Sequence, residues 1–164
     1  MSNKLFYGTK AITAEVMNRQ QYNDFRGWDL PSDENGADEG YLVEYLDGGE
    51  PNVPGRAGYV SWSPKEQFEN AYQASGSMNF GHALAALKDG KRVARSGWNG
   101  KGMFIFLVNG STFTVNREPL LSIMGEGTQV DYHAHVDMKT ADGQVVPWLC
   151  SQTDMLAEDW CIVE

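Results

Sequence analysis

Three short stretches hold the residue types able to do chemistry. Tyr132-His133-Ala134-His135-Val136-Asp137 offers two imidazoles and a carboxylate, groups that ligate zinc or move protons. On one strand His133, His135 and Asp137 would share a face. The third histidine, His82, lies in a distant helical segment and no HExxH pattern is present, so no metal ligand is assigned. The second stretch runs from Arg95 to Phe104, where glycines allow tight backbone turns around polar and aromatic groups. Trp98 offers a stacking face, Asn99 donors and an acceptor, and Arg95 or Lys101 a charge that matches phosphate. A hairpin with aromatic core anchors uses the same residues, and both readings stand. The third stretch, Pro147 to Leu156, combines Trp148 with Ser151, Gln152 and Asp154. It suits ligand contact or a capped turn in which Asp154 accepts backbone N–H groups near Ala157 or Glu158.

Other chemistries are poorly supplied. Cys150 and Cys161 have no Cys-x-x-Cys partner and read as small core residues in a reducing, intracellular compartment. Neither GxGxxG nor GxxxxGK(S/T) opens a helix, which disfavours nucleotide turnover but not nucleotide capture, since capture needs no positioned nucleophile or base. No cofactor is expected. The formal charge of −9, from 13 basic and 22 acidic residues, repels polymeric nucleic acid and anionic membranes. A small phosphate requires only a local positive patch, for which Arg92, Arg95, Lys101 and Arg117 are the candidates. Apolar runs such as Met103 to Val108 are far shorter than the roughly 20 residues of a membrane span, and the start lacks a secretory apolar segment.

The elements that must position these groups read as α+β, a mainly antiparallel sheet packed with short helices. Ile12, Ala14 and Val16 alternate as a strand, and Asn18 with Gln21 forms a capping box for a helix over 21–25. A loop over 27–40 leads to strands at 41–46 and 58–62. Ser63-Pro64-Lys65-Glu66 then predicts a helix capped by Ser63, with Pro64 in its first turn and Phe68, Ala71 and Tyr72 on one face. Ala74-Ser75-Gly76-Ser77 marks a boundary between regions 1–75 and 76–164. Beyond it, Asn79 caps a helix over 80–88 whose Phe80, Ala83, Leu84 and Leu87 form a stripe, ended by Gly90. Strands are expected at 92–95, 103–108, 132–139, 145–148 and 160–163.

Ala94-Arg95-Ser96-Gly97-Trp98-Asn99-Gly100-Lys101-Gly102-Met103, the run from Trp148 to Trp160, and Met78-Asn79-Phe80-Gly81-His82-Ala83-Leu84 together resemble the phage type II Thoeris anti-defence family over residues 77–164. The resemblance implies a small oligomeric protein that sequesters cyclic ADP-ribose-type or other cyclic nucleotide signals in the cytoplasm of the infected bacterial host, without turning them over. By motif position it places Trp98, Asn99, Met103 and Phe104 in one block and Asp137, Trp148, Ser151, Gln152 and Asp154 in later ones. With Arg95 and Lys101 these form the candidate ligand set. Two departures are visible: Cys150 stands where the family pattern has Ala, and 109–127 is longer than a minimal hairpin. Residues 1–75 read as an accessory α+β region with phage-like stretches at Gly40–Tyr45 and Tyr59–Pro64. The alternatives are a phage structural or protein-interaction module with no small ligand, and a metal-dependent nucleotide hydrolase using His133, His135 and Asp137.

Overall fold

Element boundaries in the first part of the chain follow from side chains that satisfy orphan backbone groups. The computed structural model describes residues 3–164, and the chain divides into two compact units, Met1–Gln73 and Ala74–Glu164. In the first unit β1 (Ile12–Val16) is followed by Asn18, whose side chain accepts the Gln21 N–H at 2.8 Å while Gln21 accepts the Asn18 N–H at 2.9 Å. This reciprocal box starts α1 (Arg19–Arg26), and Gly27 at φ 67° ends it. β2 (Gly40–Tyr45) pairs antiparallel with both β1 and β3 (Tyr59–Pro64), giving the order β1-β2-β3. Tyr22, Leu42 and Val60 form its core.

The turn into β3 depends on a buried acid. Glu44 accepts the Ala57 and Gly58 N–H groups at 2.7 and 3.0 Å, with Arg56 at 3.5 Å. The Gly58 donor first, and then Ala57 and Arg56, hold its carboxyl below the usual range against the opposing effect of burial. Gly58 must lack a side chain, because a Cβ there would lie 1.9 Å from the Tyr45 carbonyl oxygen. Asn52 bonds both the N–H and the carbonyl of Val60, at 2.7 and 2.8 Å, and so occupies the outer edge of β3 as a strand partner would.

The expected Ser63 cap does not form. Ser63 is still in β3 opposite Tyr41, and Pro64, opposite Gly40 with φ −57° and ψ 147°, is the residue that precedes α2 (Lys65–Ala71). The ladder claims the backbone that a cap at Ser63 would have needed. The apolar face of α2 docks as expected, with Phe68 stacked on Tyr41 at 4.0 Å and Tyr72 at 5.1 Å from Phe68.

In the second unit Asn79 accepts the His82 N–H at 3.0 Å, and His82 Nδ1 faces the Asn79 N–H at 3.4 Å, opening α3 (Phe80–Lys88). The sheet below it is antiparallel throughout. It is built from β4 (Arg92–Arg95), β5 (Phe104–Val108), β8 (His135–Lys139), β9 (Val145–Pro147) and β10 (Trp160–Val163), in the order β10-β4-β5-β8-β9. Ala83 and Leu87 pack with Met78, Val93, Ile105 and Trp160 in a fully enclosed core. Leu84 departs from the predicted stripe and is 39% exposed, while Ala86 joins the core margin. Around the helix Leu84 and Ala86 lie on opposite sides of the buried Ala83–Leu87 line, and the helix is tipped toward Ala86, which lifts Leu84 off the sheet.

The single strand expected over 132–139 is two strands. β6 (Ser111–Thr114) pairs with β7 (Gln129–Tyr132) in a separate ladder, with α4 (Leu120–Met124) between them, and β8 begins only at His135. The backbone of Gly110 comes so close to Tyr132 and Ala134 that a Cβ there would lie 3.0 Å from the Tyr132 oxygen. The two strands keep one register across the break, Val108 opposite His135 and Ser111 opposite Tyr132, so the β5–β8 hairpin is interrupted here and continues as β6 and β7. His133 therefore lies off the strand, and the expected three-residue face reduces to His135 and Asp137. No helix among the described residues is long and apolar enough to cross a membrane.

Replacing Gly58 with Ala should destabilise the first unit by about 1–3 kcal/mol, the usual range for forced overpacking. Hydrogen exchange should show the amides of residues 57 and 58 losing protection. Unchanged exchange there would refute the close-approach argument.

Candidate functional site

The predicted site residues fall into two groups on opposite faces of the five-stranded sheet. The first gathers around Asp154, in the short helix α5 (Gln152–Met155) that Ser151 caps by accepting the Asp154 N–H at 3.0 Å. Asp154 Oδ1 accepts Arg95 Nη1 at 2.8 Å and the Trp98 indole N–H at 3.1 Å, and Oδ2 accepts the Ser151 hydroxyl at 2.7 Å. Its carbonyl oxygen takes the Trp160 indole N–H at 3.1 Å. Arg95 Nε donates to Asp159 Oδ1 at 2.8 Å, and Asp159 Oδ2 accepts the Gly97 N–H at 2.7 Å.

These bonds set the charges of the group. Burial opposes ionisation of Asp154, but the bonds from Arg95, Ser151 and Trp98 outweigh it and hold the carboxyl below its ordinary value. Asp159 is lowered chiefly by Arg95, and Arg95 is raised by Asp159 and then Asp154. The Arg95 guanidinium is thus matched by two carboxylates, and its charge is spent inside the protein rather than offered to a phosphate. The Ala157 N–H goes to the main-chain carbonyl of Asp154, at 3.3 Å, and the Asp154 carboxylate accepts no N–H at Ala157 or Glu158 among the described residues. Its side chain instead joins α5 to the turn after β4.

Trp98 and Trp148 belong to one aromatic cluster. Both meet the buried Trp160 edge-on, at 5.5 and 6.2 Å between centroids, and Phe80 lies 6.3 Å from Trp148. Both indoles are partly exposed at the core margin. Asn99 and Lys101 project from the exposed turn after Trp98 with no side-chain hydrogen bond among the described residues, and Gln152 is exposed at the start of α5. Met103 packs under that turn, where a Cβ on Gly100 would come within 2.1 Å of its sulfur. Burial first, and then Asp154, push the Cys150 thiol up, away from thiolate chemistry.

Phe104 and Asp137 lie on the other face. Val93 and Ile105 point at α3, so strand alternation turns Arg92, Phe104 and Phe106 the opposite way. Phe104 sits opposite Lys139 and Phe106 opposite Asp137. Arg92 and Lys139 approach the Phe104 ring at 5.1 and 5.8 Å. Asp137 Oδ1 is buried without a hydrogen-bond partner among the described residues, and His135 Nε2 stands 3.7 Å away, beyond hydrogen-bond reach. No group of three His, Cys, Asp or Glu among the described residues has the arrangement of a metal site. The sequence reading missed Lys139 and Phe106. The alternation Phe104/Phe106 and Asp137/Lys139 on paired strands was the signal that could have found them.

The first unit carries a different surface. An open groove of about 470 Å³ is lined by Asp38, Glu39, Glu66 and Glu69, and its Lys65 is ion-paired to Glu39 at 2.7 Å. Its charge repels an anionic ligand.

Comparison with known proteins places this geometry in context. The profile of the Thoeris anti-defense 2-like domain matches residues 78–163. A protein of Bacillus phage SP01 named Thoeris anti-defense 2 is 44% identical over 91 residues, an alignment that spans 52% of this chain and 94% of that protein.

The Asp154 and Asp159 carboxyls predict acid sensitivity of the second unit. With folded values below the unfolded reference of about 3.9, their stabilisation is complete above that pH and is lost as pH falls through the folded values. Arg95→Gln should destabilise the second unit by about 2–3 kcal/mol near neutral pH and flatten this acid dependence. Denaturation profiles of the two proteins between pH 2 and 7 that ran parallel would contradict it.

Proposed function

The chain belongs to the Thoeris anti-defense 2-like family, and from that premise we propose that it is a phage sponge that binds and sequesters cyclic ADP-ribose-type signalling nucleotides without turnover. The observation that carries the reading is the joining of the two family blocks. Arg95 and Trp98 from one block and Ser151 and Asp154 from the other are held in a single hydrogen-bonded unit. This fixes the Asn99–Lys101 turn, whose amide and ammonium remain available to a ligand. The aromatic faces of Trp98 and Trp148, exposed at the margin of the same core, suit a base or ribose. Stoichiometric capture asks only for such positioned contacts, whereas hydrolysis needs an activated water or nucleophile beside them.

Action on a host signal places the protein in the infected cell's cytoplasm. A homo-oligomer is part of the proposal. Leu149 and Leu156, 91% and 79% exposed beside α5, are the kind of apolar surface that a subunit contact covers. The accessory unit, with its acidic groove, is assigned no part in holding the anion.

Native mass spectrometry and calorimetry with cyclic ADP-ribose isomers and cyclic di- and trinucleotides test the reading. At least one cyclic nucleotide should bind with a fixed stoichiometry per oligomer and be recovered at unchanged mass after denaturation. Progressive appearance of a hydrolysed product would reject capture and favour an enzyme.

A further inference from the structure

The sheet face turned away from α3 carries charges that the Asp154 network does not use. Arg92 on β4 and Lys139 on β8, the two strands that flank β5, both approach the Phe104 ring, at 5.1 and 5.8 Å from its centroid. Neither has a carboxylate within ion-pair distance among the described residues, in contrast to the doubly paired Arg95. Lys139 Nζ donates to the Gly102 and Thr140 carbonyls at 3.3 and 3.4 Å, which orients the ammonium without cancelling its charge. Two unmatched cations beside one ring raise the potential on this face, and the oxyanions of a phosphate or pyrophosphate group relieve it through charge-assisted hydrogen bonds.

A second, different demand lies beside the first. Asp137 precedes Lys139 by two residues on β8, so it shares the same face about 7 Å away along the strand. Its buried Oδ1 has no hydrogen-bond partner among the described residues, with His135 Nε2 held 3.7 Å away. An ionised carboxylate can only accept, so the group that satisfies it must bring a hydroxyl or an N–H. Phe104 and Phe106, 6.1 Å apart, form an apolar floor near both. A phosphorylated ribose meets all three demands: phosphate oxygens for Arg92 and Lys139, a sugar hydroxyl for Asp137, and a ring face over the phenylalanines. Inorganic pyrophosphate lacks the sugar hydroxyl and the ring face, and an unphosphorylated nucleoside lacks the charge.

We propose that Arg92, Lys139, Phe104 and Asp137 form a ribose-phosphate subsite on the sheet face opposite the Asp154 network, recognising the sugar and phosphate of a captured nucleotide. The assignment rests on the capture reading and adds to it the residues that overcome the net negative charge. The Gly102 carbonyl that Lys139 contacts lies in the same turn as Asn99 and Lys101.

Calorimetry on the full chain tests it, with the tightest-binding nucleotide of the panel and with inorganic pyrophosphate as separate probes. Arg92→Gln and Lys139→Gln should each weaken nucleotide and pyrophosphate roughly 10-fold or more, with a smaller salt dependence. Arg92→Lys and Lys139→Arg should retain most of the affinity. Asp137→Ala should weaken the nucleotide while leaving pyrophosphate as tight or tighter, because pyrophosphate offers no sugar hydroxyl. Full nucleotide affinity in a folded Arg92→Gln/Lys139→Gln double variant would overturn the subsite and leave capture standing. If no nucleotide binds the wild type, the capture reading fails. Pyrophosphate binding that Arg92→Gln abolishes would then still establish the anion site, and its absence from the wild type would overturn that too.

Discussion

The carboxylate of Asp154 is the point on which the second unit turns. One side chain accepts from Arg95 on β4, from Trp98 in the following turn and from Ser151 at the start of α5, while its own carbonyl takes the indole N–H of the buried Trp160. Segments almost 60 residues apart in the chain are tied at one atom group. A part-buried carboxylate with these partners is costly to leave unpaired, so the turn after Trp98, α5 and β10 are fixed together. The consequence for function is rigidity. Asn99 and Lys101 emerge from a turn whose two anchors are already satisfied.

That arrangement also separates two kinds of positive charge. Arg95 looks like a phosphate ligand by residue type and by its place in the motif, yet Asp154 and Asp159 take its donors. Arg92, three residues earlier on the same strand, faces the other side of the sheet and lies over Phe104 instead. Strand alternation alone gives these two arginines different surroundings and therefore different work. For a chain with a formal charge of −9, the local distribution decides whether an anion can approach. The acidic residues crowd the first unit's groove, and the unmatched cations lie on the second unit's sheet.

Local rules visible in the sequence carried much of the architecture. Asn18 with Gln21, and Asn79 with its first helical turn, announced two helix starts because capping is settled within four residues. Alternation located most of the strands, and the two family blocks were legible as ordered motifs. The failures share a cause. Ser63 has the chemistry of a cap but is held in β3 by its pairing with Tyr41, and the run 132–139 alternates like one strand but is divided between two ladders. In each case a partner distant in sequence outweighed the local preference.

The sequence by itself determined the α+β class, the family, the capped helices and the list of residues with binding chemistry, because each is set by residue type, short-range spacing or motif order. Only the tertiary structure decided which of those residues still have unused valence. Ser151, Asp154, Arg95 and Trp98 satisfy one another, whereas among the described residues Arg92 and Lys139 lie beside Phe104 without a carboxylate in ion-pair distance and Asp137 Oδ1 has no hydrogen-bond partner. Hydrogen-bond capacity belongs to a residue, but whether it is already occupied depends on strands and turns that fold against it from elsewhere in the chain.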